Sequence, residues 1–125
     1  MNPAIRIEGV TKCFGSVQAL AGVDLEIAEG EFFGLLGPNG AGKTTTLRML
    51  YTLMTPDAGQ VLVDGVDVAR DAQAVRRNLG VLPDARGVYK RLTARENIAY
   101  FGRLHGMEEA MIAQRGDELI AALDM

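Results

Sequence analysis

Gly37-Pro38-Asn39-Gly40-Ala41-Gly42-Lys43-Thr44 decides how this chain reads. The stretch fits G-x-x-x-x-G-K-[ST], and each residue type in it answers a need of a bound polyphosphate. Backbone N–H groups can converge on an anion only where the chain turns tightly and no Cβ intrudes, which Gly37, Gly40 and Gly42 allow. A helix directly after the turn adds unpaired amides and the positive end of its dipole. Lys43 is then placed to reach β- and γ-phosphates, and the Thr44 hydroxyl to ligand Mg²⁺. The dinucleotide pattern G-x-G-x-x-G fails here, because Gly40 and Gly42 are followed by Thr45.

The flanks agree with the motif. Phe32-Phe33-Gly34-Leu35-Leu36 is an apolar run of strand length, and Thr45 to Tyr51 carries apolar residues at helical spacing. Strand, glycine-rich turn and helix are the expected order. Upstream, Ile5, Ile7 and Gly9 alternate with Arg6, Glu8 and Val10, and Val23 to Ile27 alternates again, with Thr11 to Ser16 read as a turn between them. Two alternating strands beside a continuous apolar one predict an antiparallel edge sheet feeding a buried parallel strand.

Downstream, Thr55-Pro56-Asp57-Ala58-Gly59 is a break, Gln60 to Val63 a strand and Asp64-Gly65 a tight turn. Asp71 to Asn78 reads as a short helix with Val75 inward. Leu79 to Leu82 reads as a second apolar strand, with the Pro83 to Gly87 loop at its C-terminal end, where open α/β sheets hold ligands. Thr93-Ala94-Arg95-Glu96 is a capping box opening a helix that stops at Gly106, and a further helix runs from about Glu108 to Leu123. Met107 and Met111 sit at helical spacing and read as packing.

Composition narrows the classes. The chain has 125 residues, 48% of them hydrophobic, and a net charge of −3, which speaks against a general nucleic-acid binder. Cys13 is the only cysteine, so no internal disulfide forms, and neither Cys13 nor His105 has a companion for metal chemistry. No stretch reaches the roughly 18 apolar residues of a membrane span. A membrane role therefore runs through a partner.

Phe14, the Gly37 to Thr45 loop and the Asp84 loop together resemble the ATP-binding domain of an ABC transporter. The segments Thr55 to Gly59 and Asp64-Gly65 share that resemblance. Leu82 to Tyr89 followed by Leu92 to Asn97 looks most like the subgroup with sodium-efflux and related exporters. The resemblance implies an α/β fold. It would be a partial P-loop NTPase core with an antiparallel β edge sheet up to about residue 92, then the start of a helical subdomain over about 93–125. It implies ATP and Mg²⁺ as ligands, with Gly37, Pro38, Asn39, Gly40, Ala41, Gly42, Lys43, Thr44 and Thr45 around the phosphates. Phe14 would stack on adenine, and Thr44 and Asp84 would stand at the metal. The family usually has glutamine where Asp84 stands.

The partners implied are a membrane-spanning subunit and a second ATP-binding domain, at the cytoplasmic face of a membrane. The basic run Arg86, Lys90, Arg91 and Arg95 reads either as a solvated face or, by the resemblance, as facing a helix of the membrane subunit. No Leu-Ser-Gly-Gly-Gln signature, no apolar strand ending Asp-Glu and no later switch histidine occurs within these residues. The expectation is a truncated chain that binds Mg-ATP without hydrolysing it at a useful rate, assigns no catalytic residue of its own and folds poorly in isolation. Two rivals stand beside this reading: a GTPase-type switch, because Asp84-Ala85-Arg86-Gly87 fits D-x-x-G, and a non-transport ABC ATPase.

Overall fold

Ile7 and Val10 are both buried, at 2% and 0% exposed, although residues three apart face opposite sides of a regular strand. The computed structural model, which describes residues 3–38, 40–82 and 89–124, shows how. In strand β1 (Ile5–Phe14) the pairing register shifts between Ile7 and Val10 against one neighbour, and between Glu8 and Thr11 against the other. One extra residue in a β-bulge flips the facing of all that follow, so Val10 joins Ile7 on the apolar face. The simple alternation expected from Ile5 to Val10 is corrected accordingly. Gly9 turns there with φ 55°, and its freed N–H donates to Asp24 Oδ1 at 2.7 Å.

The bulge dictates a glycine on the facing strand. β3 (Ala58–Val63) passes so close that a Cβ on Gly59 would lie 2.4 Å from Glu8 O and 2.5 Å from Gly9 O, and Gly59 itself has φ 84°. With β2 (Val17–Ile27) and β4 (Val66–Asp67) the sheet order is β2-β1-β3-β4, with every pair antiparallel. The turn expected over Thr11 to Ser16 shrinks to Gly15-Ser16, because Thr11 to Phe14 pair with β2 out to Phe14↔Val17. Pairing with a neighbouring strand outweighs the local turn signal.

Helix α1 (Lys43–Leu50) and helix α2 (Ala72–Arg77) close over this sheet. Thr46, Met49 and Leu50, spaced three and four apart, form the buried stripe of α1, and Val75 is fully buried on α2. They join Ile7, Val10, Leu20, Val61, Val63 and Val68 in one core. Each of the fully buried side chains Met49, Val10, Val61 and Val75 contributes about 1.5–3 kcal/mol over its exposed state. Past α1, Thr52 N–H donates to Met49 O and Leu53 N–H to Arg48 O, which satisfies the last carbonyls. Thr52 holds φ 67° there, and its hydroxyl accepts from Arg76 Nε at 2.8 Å, tying α1 to α2.

The two continuous apolar runs do not form the strands expected of them. Phe32 to Leu36 and Leu79 to Leu82 have no strand pairing, and Phe32, Leu36 and Leu82 are 104%, 92% and 95% exposed. A strand exists through its ladder, and no strand among the described residues pairs with either run. Leu79 alone packs against the core.

The chain divides into two units, Met1–Val81 and Leu82–Met125. The second is a helical hairpin of α3 (Ala94–Leu104) and α4 (Glu109–Ala122). The capping box is present: Thr93 Oγ1 accepts from Glu96 N–H, and Glu96 Oε1 accepts from Thr93 N–H. Asn97 knits the entry segment to α3, accepting from Tyr89 N–H at 2.8 Å and donating to the carbonyls of Tyr89, Leu92 and Thr93. The helices meet at a glycine, since a Cβ on Gly102 would lie 2.8 Å from Ile112 Cγ1. Met111 is 55% exposed, so the packing role expected of it is not met, whereas Met107 approaches the Gly102 crossing.

Gly59→Ala is expected to lower the thermal midpoint, with a cost of about 1–3 kcal/mol from φ strain alone and more from the clash with Glu8 and Gly9. Gly34→Ala, where an added Cβ meets nothing within 4 Å, serves as the neutral control. Equal melting of the two variants by circular dichroism would contradict the bulge contact.

Candidate functional site

The loop and the helix after it are held from one side. Gly42 is the N-cap of α1 with φ 92°, and a Cβ there would lie 2.6 Å from Leu20 Cδ2 and 3.0 Å from Ala19 O. A residue without a side chain is required both by the backbone angle and by the strand it lies against. This contact seats the start of α1 on β2. Thr46, buried one turn later, donates its N–H and its hydroxyl to Gly42 O at 2.9 and 2.8 Å.

That Thr46 bond is the first in the helix, and Gly42 offers no side chain to cap the preceding amides of Lys43, Thr44 and Thr45. Those N–H groups carry the partial positive charge of the helix terminus. Within the loop, Ala41 N–H donates to Pro38 O at 3.2 Å, and the Lys43 ammonium donates to Gly37 O, so the lysine lies across the turn. Thr44 is exposed with its hydroxyl on the first turn, while Lys43 and Thr45 are half-buried. Gly37, Pro38, Gly40, Ala41 and Gly42 thus lie along the turn, and Lys43, Thr44 and Thr45 on the first turn of α1. Asn39 and Asp84 lie outside the described residues.

This set fits a polyphosphate with a divalent cation. The uncapped amides of Lys43, Thr44 and Thr45 and the Lys43 ammonium are donors on adjacent residues, Gly40 and Gly42 bring no Cβ to the turn, and a threonine hydroxyl is a hard oxygen ligand suited to Mg²⁺. Among the described residues, no group of three or more His, Cys, Asp or Glu side chains gathers to hold a metal by itself. A cation here would draw its remaining ligands from phosphate and water.

Phe14 ends β1 and is 47% exposed. It pairs with Val17, and the loop meets β2 at Leu20, three residues farther on, about 10 Å at the strand rise. Aromatic ring and phosphate loop thus sit on one strand pair, separated along it.

Sequence reasoning passed over what fixes this strand end. Asp57 Oδ2 accepts from Cys13 N–H at 2.7 Å, and Asp57 N–H donates to Thr11 O at 2.9 Å. Lys12 Nζ donates to Thr55 O at 2.9 Å and to Asp57 Oδ1 at 3.3 Å. The Cys13 N–H bond, helped by the Lys12 ammonium and opposed by desolvation, holds the Asp57 carboxyl below its ordinary range. The Pro56-Asp57 turn signature was visible. Its partner 44 residues away was not.

The helical unit has a different surface. An apolar groove of about 430 Å³ runs between α3 and α4, lined by Phe101, His105, Met107, Ile112, Arg115 and Leu119. Tyr100 and Phe101 of α3 and Tyr89 of the segment before it form an aromatic cluster, in which Tyr100 meets both rings edge-to-face and the Tyr89 and Tyr100 centroids are 4.9 Å apart. Of the basic residues expected to act together, Arg95 pairs with Asp117, Lys90 and Arg91 are exposed, and Arg86 lies outside the described residues.

Comparison with known proteins agrees with the geometry. The family described as ABC transporter matches residues 20–125. The daunorubicin resistance ATP-binding protein DrrA3 of Streptomyces coeruleorubidus is 45% identical over 99% of this chain and 39% of its own length. The Nod factor export ATP-binding protein I of Paraburkholderia xenovorans is 45% identical over 86% of this chain and 35% of its own. The ABC transporter ATP-binding protein NatA of Bacillus subtilis is 45% identical over 82% of this chain and 42% of its own. A solved structure of the ATP-binding subunit of an ABC transporter superposes with a TM-score of 0.80 at 26% identity, over 94% of this chain and 49% of that one. The chain thus spans about two fifths of the length of these curated relatives, and its α/β architecture is that of a partial P-loop NTPase with an antiparallel sheet and helices.

Asp57 adds a test of the clamp. A carboxylate whose folded-state pKa is depressed stabilises fully above its unfolded value, near 3.9, and loses that contribution as pH falls through the folded value. Asp57→Asn is therefore expected to melt below the parent chain at pH 7. The gap should narrow below about pH 4. A gap constant down to pH 2 would contradict it.

Proposed function

The chain belongs to the ABC transporter family, and from that premise we propose that it supplies the nucleotide-binding half of an ATP-driven export subunit. The observation that carries the reading is the Gly42 contact with Leu20, which fixes the uncapped amides of α1 beside the Lys43 ammonium. In this reading the loop amides and those of Lys43, Thr44 and Thr45 hold the phosphate oxygens. The ammonium exchanges a neutral carbonyl for charged oxygens, which strengthens its hydrogen bonds. Thr44 ligands Mg²⁺, whose chemistry is to neutralise and bridge the β- and γ-phosphates. Asp84 adds a carboxylate at the metal or the attacking water, Asn39 completes the loop, and Phe14 offers its ring to adenine.

None of the described residues is assigned as catalytic base. Hydrolysis and coupling are placed in the assembled protein, a pair of ATP-binding domains on a membrane-spanning subunit at the cytoplasmic face. No helix among the described residues is long and apolar enough to cross a membrane, so attachment would come through that subunit. The helical unit, with its apolar groove and exposed Lys90 and Arg91, is the surface offered to it. Export is supported by relatives named for daunorubicin resistance and Nod factor export. Sodium is one cargo consistent with the subgroup that Leu82 to Asn97 resembles.

Lys43→Ala is expected to weaken MgATP binding at least tenfold, about 1.4 kcal/mol, with the melting curve little changed. ATP should displace a fluorescent ATP analogue more effectively than GTP in equilibrium titration. GTP winning that competition would move the reading to a guanine-nucleotide switch. Unchanged affinity in Lys43→Ala would remove the loop from the site.

A further inference from the structure

The Thr55–Asp57 segment grips three consecutive residues of β1. Asp57 N–H donates to Thr11 O, Thr55 O and Asp57 Oδ1 accept from Lys12 Nζ, and Asp57 Oδ2 accepts from Cys13 N–H. The Lys12 side chain is only 16% exposed, unusually low for a lysine beside a hairpin end. Its ammonium stands 5.7 Å from the centroid of the Phe14 ring. A cation at that distance is drawn to the negative face of the ring. The ring keeps 47% of its surface exposed.

We propose that Lys12, anchored by Asp57 and the Thr55 carbonyl, is a positioning residue that backs one face of Phe14 and presents the other to the purine base of the nucleotide. The proposal rests on the reading of Phe14 as the base platform. The physical reason is ordering. A phenylalanine at the end of a hairpin, directly before the turn, is otherwise free to rotate, and a ligand that stacks on it must first immobilise it. Here the immobilisation is done in advance by a charge that cannot leave, because it is itself held by a carboxylate and a carbonyl. Lys12 touches neither phosphate nor base and acts only through the ring.

The test measures MgATP and Mg-tripolyphosphate affinity side by side on the full chain, since tripolyphosphate reports the loop without the base. Lys12→Met, which keeps the apolar stem, is expected to weaken ATP about two- to tenfold and leave tripolyphosphate unchanged. Lys12→Arg, which keeps both the donors and the cation over the ring, is expected to restore ATP affinity. Phe14→Ala should weaken ATP alone, and adding Lys12→Met to it should cost nothing further. If Phe14→Ala weakens ATP and Lys12→Met does not, the positioning role is overturned while the platform stands. Parallel loss of ATP and tripolyphosphate in Lys12→Met would show a merely structural residue and overturn the role as well. Phe14→Ala without effect on ATP would overturn the platform and the proposal together.

Discussion

The contact of Gly42 with Leu20 and Ala19 is what the rest of the site depends on. A phosphate loop is mostly backbone with few side-chain contacts, so its shape has to be imposed from outside. Here the imposition comes from β2 below and from the buried stripe of Thr46, Met49 and Leu50 behind. With Gly42 against the strand, α1 can point its uncapped amides and the Lys43 ammonium at one place. Any side chain at Gly42 would be strained by the φ of 92° and would force the Leu20 side chain to shift.

The sheet beneath pairs β1 and β3 on both sides and leaves β2 and β4 at its edges. Gly59 lets β3 reach β1 across the bulge, and the bulge lets Ile7 and Val10 share the core. Phe32 to Leu36 enters the phosphate loop from the other side without a ladder. Its backbone donors and acceptors and its apolar side chains call for a partner strand that the described residues do not provide. The site is thus fixed on its helix side and unsupported on its entry side, and the same constraint applies to Val81 and Leu82.

What could be read from sequence follows from how local each signal is. The helix start at Lys43, the Thr93 capping box and the Asp64-Gly65 turn each rest on a few neighbouring residues, and each stands where expected. The helix stop at Gly106 is equally local, with Met107 N–H donating to Gly102 O. The bulge at Gly9, the Asp57 grip on Cys13 and the Gly42 seat on Leu20 join residues far apart in the chain, and no pattern in the string reports them. The apolar runs misled for a related reason: composition shows that a segment would pair if it could, and topology decides whether a partner is there.

The most direct test of the central claim is hydrogen exchange of the full chain with and without MgATP, read by mass spectrometry at peptide resolution. The account predicts slowed exchange at Gly40 to Thr45 and at the Phe14 hairpin end, with α3 and α4 unchanged. Unaltered exchange at Gly40 to Thr45, or protection confined to the α3–α4 hairpin, would contradict a nucleotide site built on Gly42 and β2.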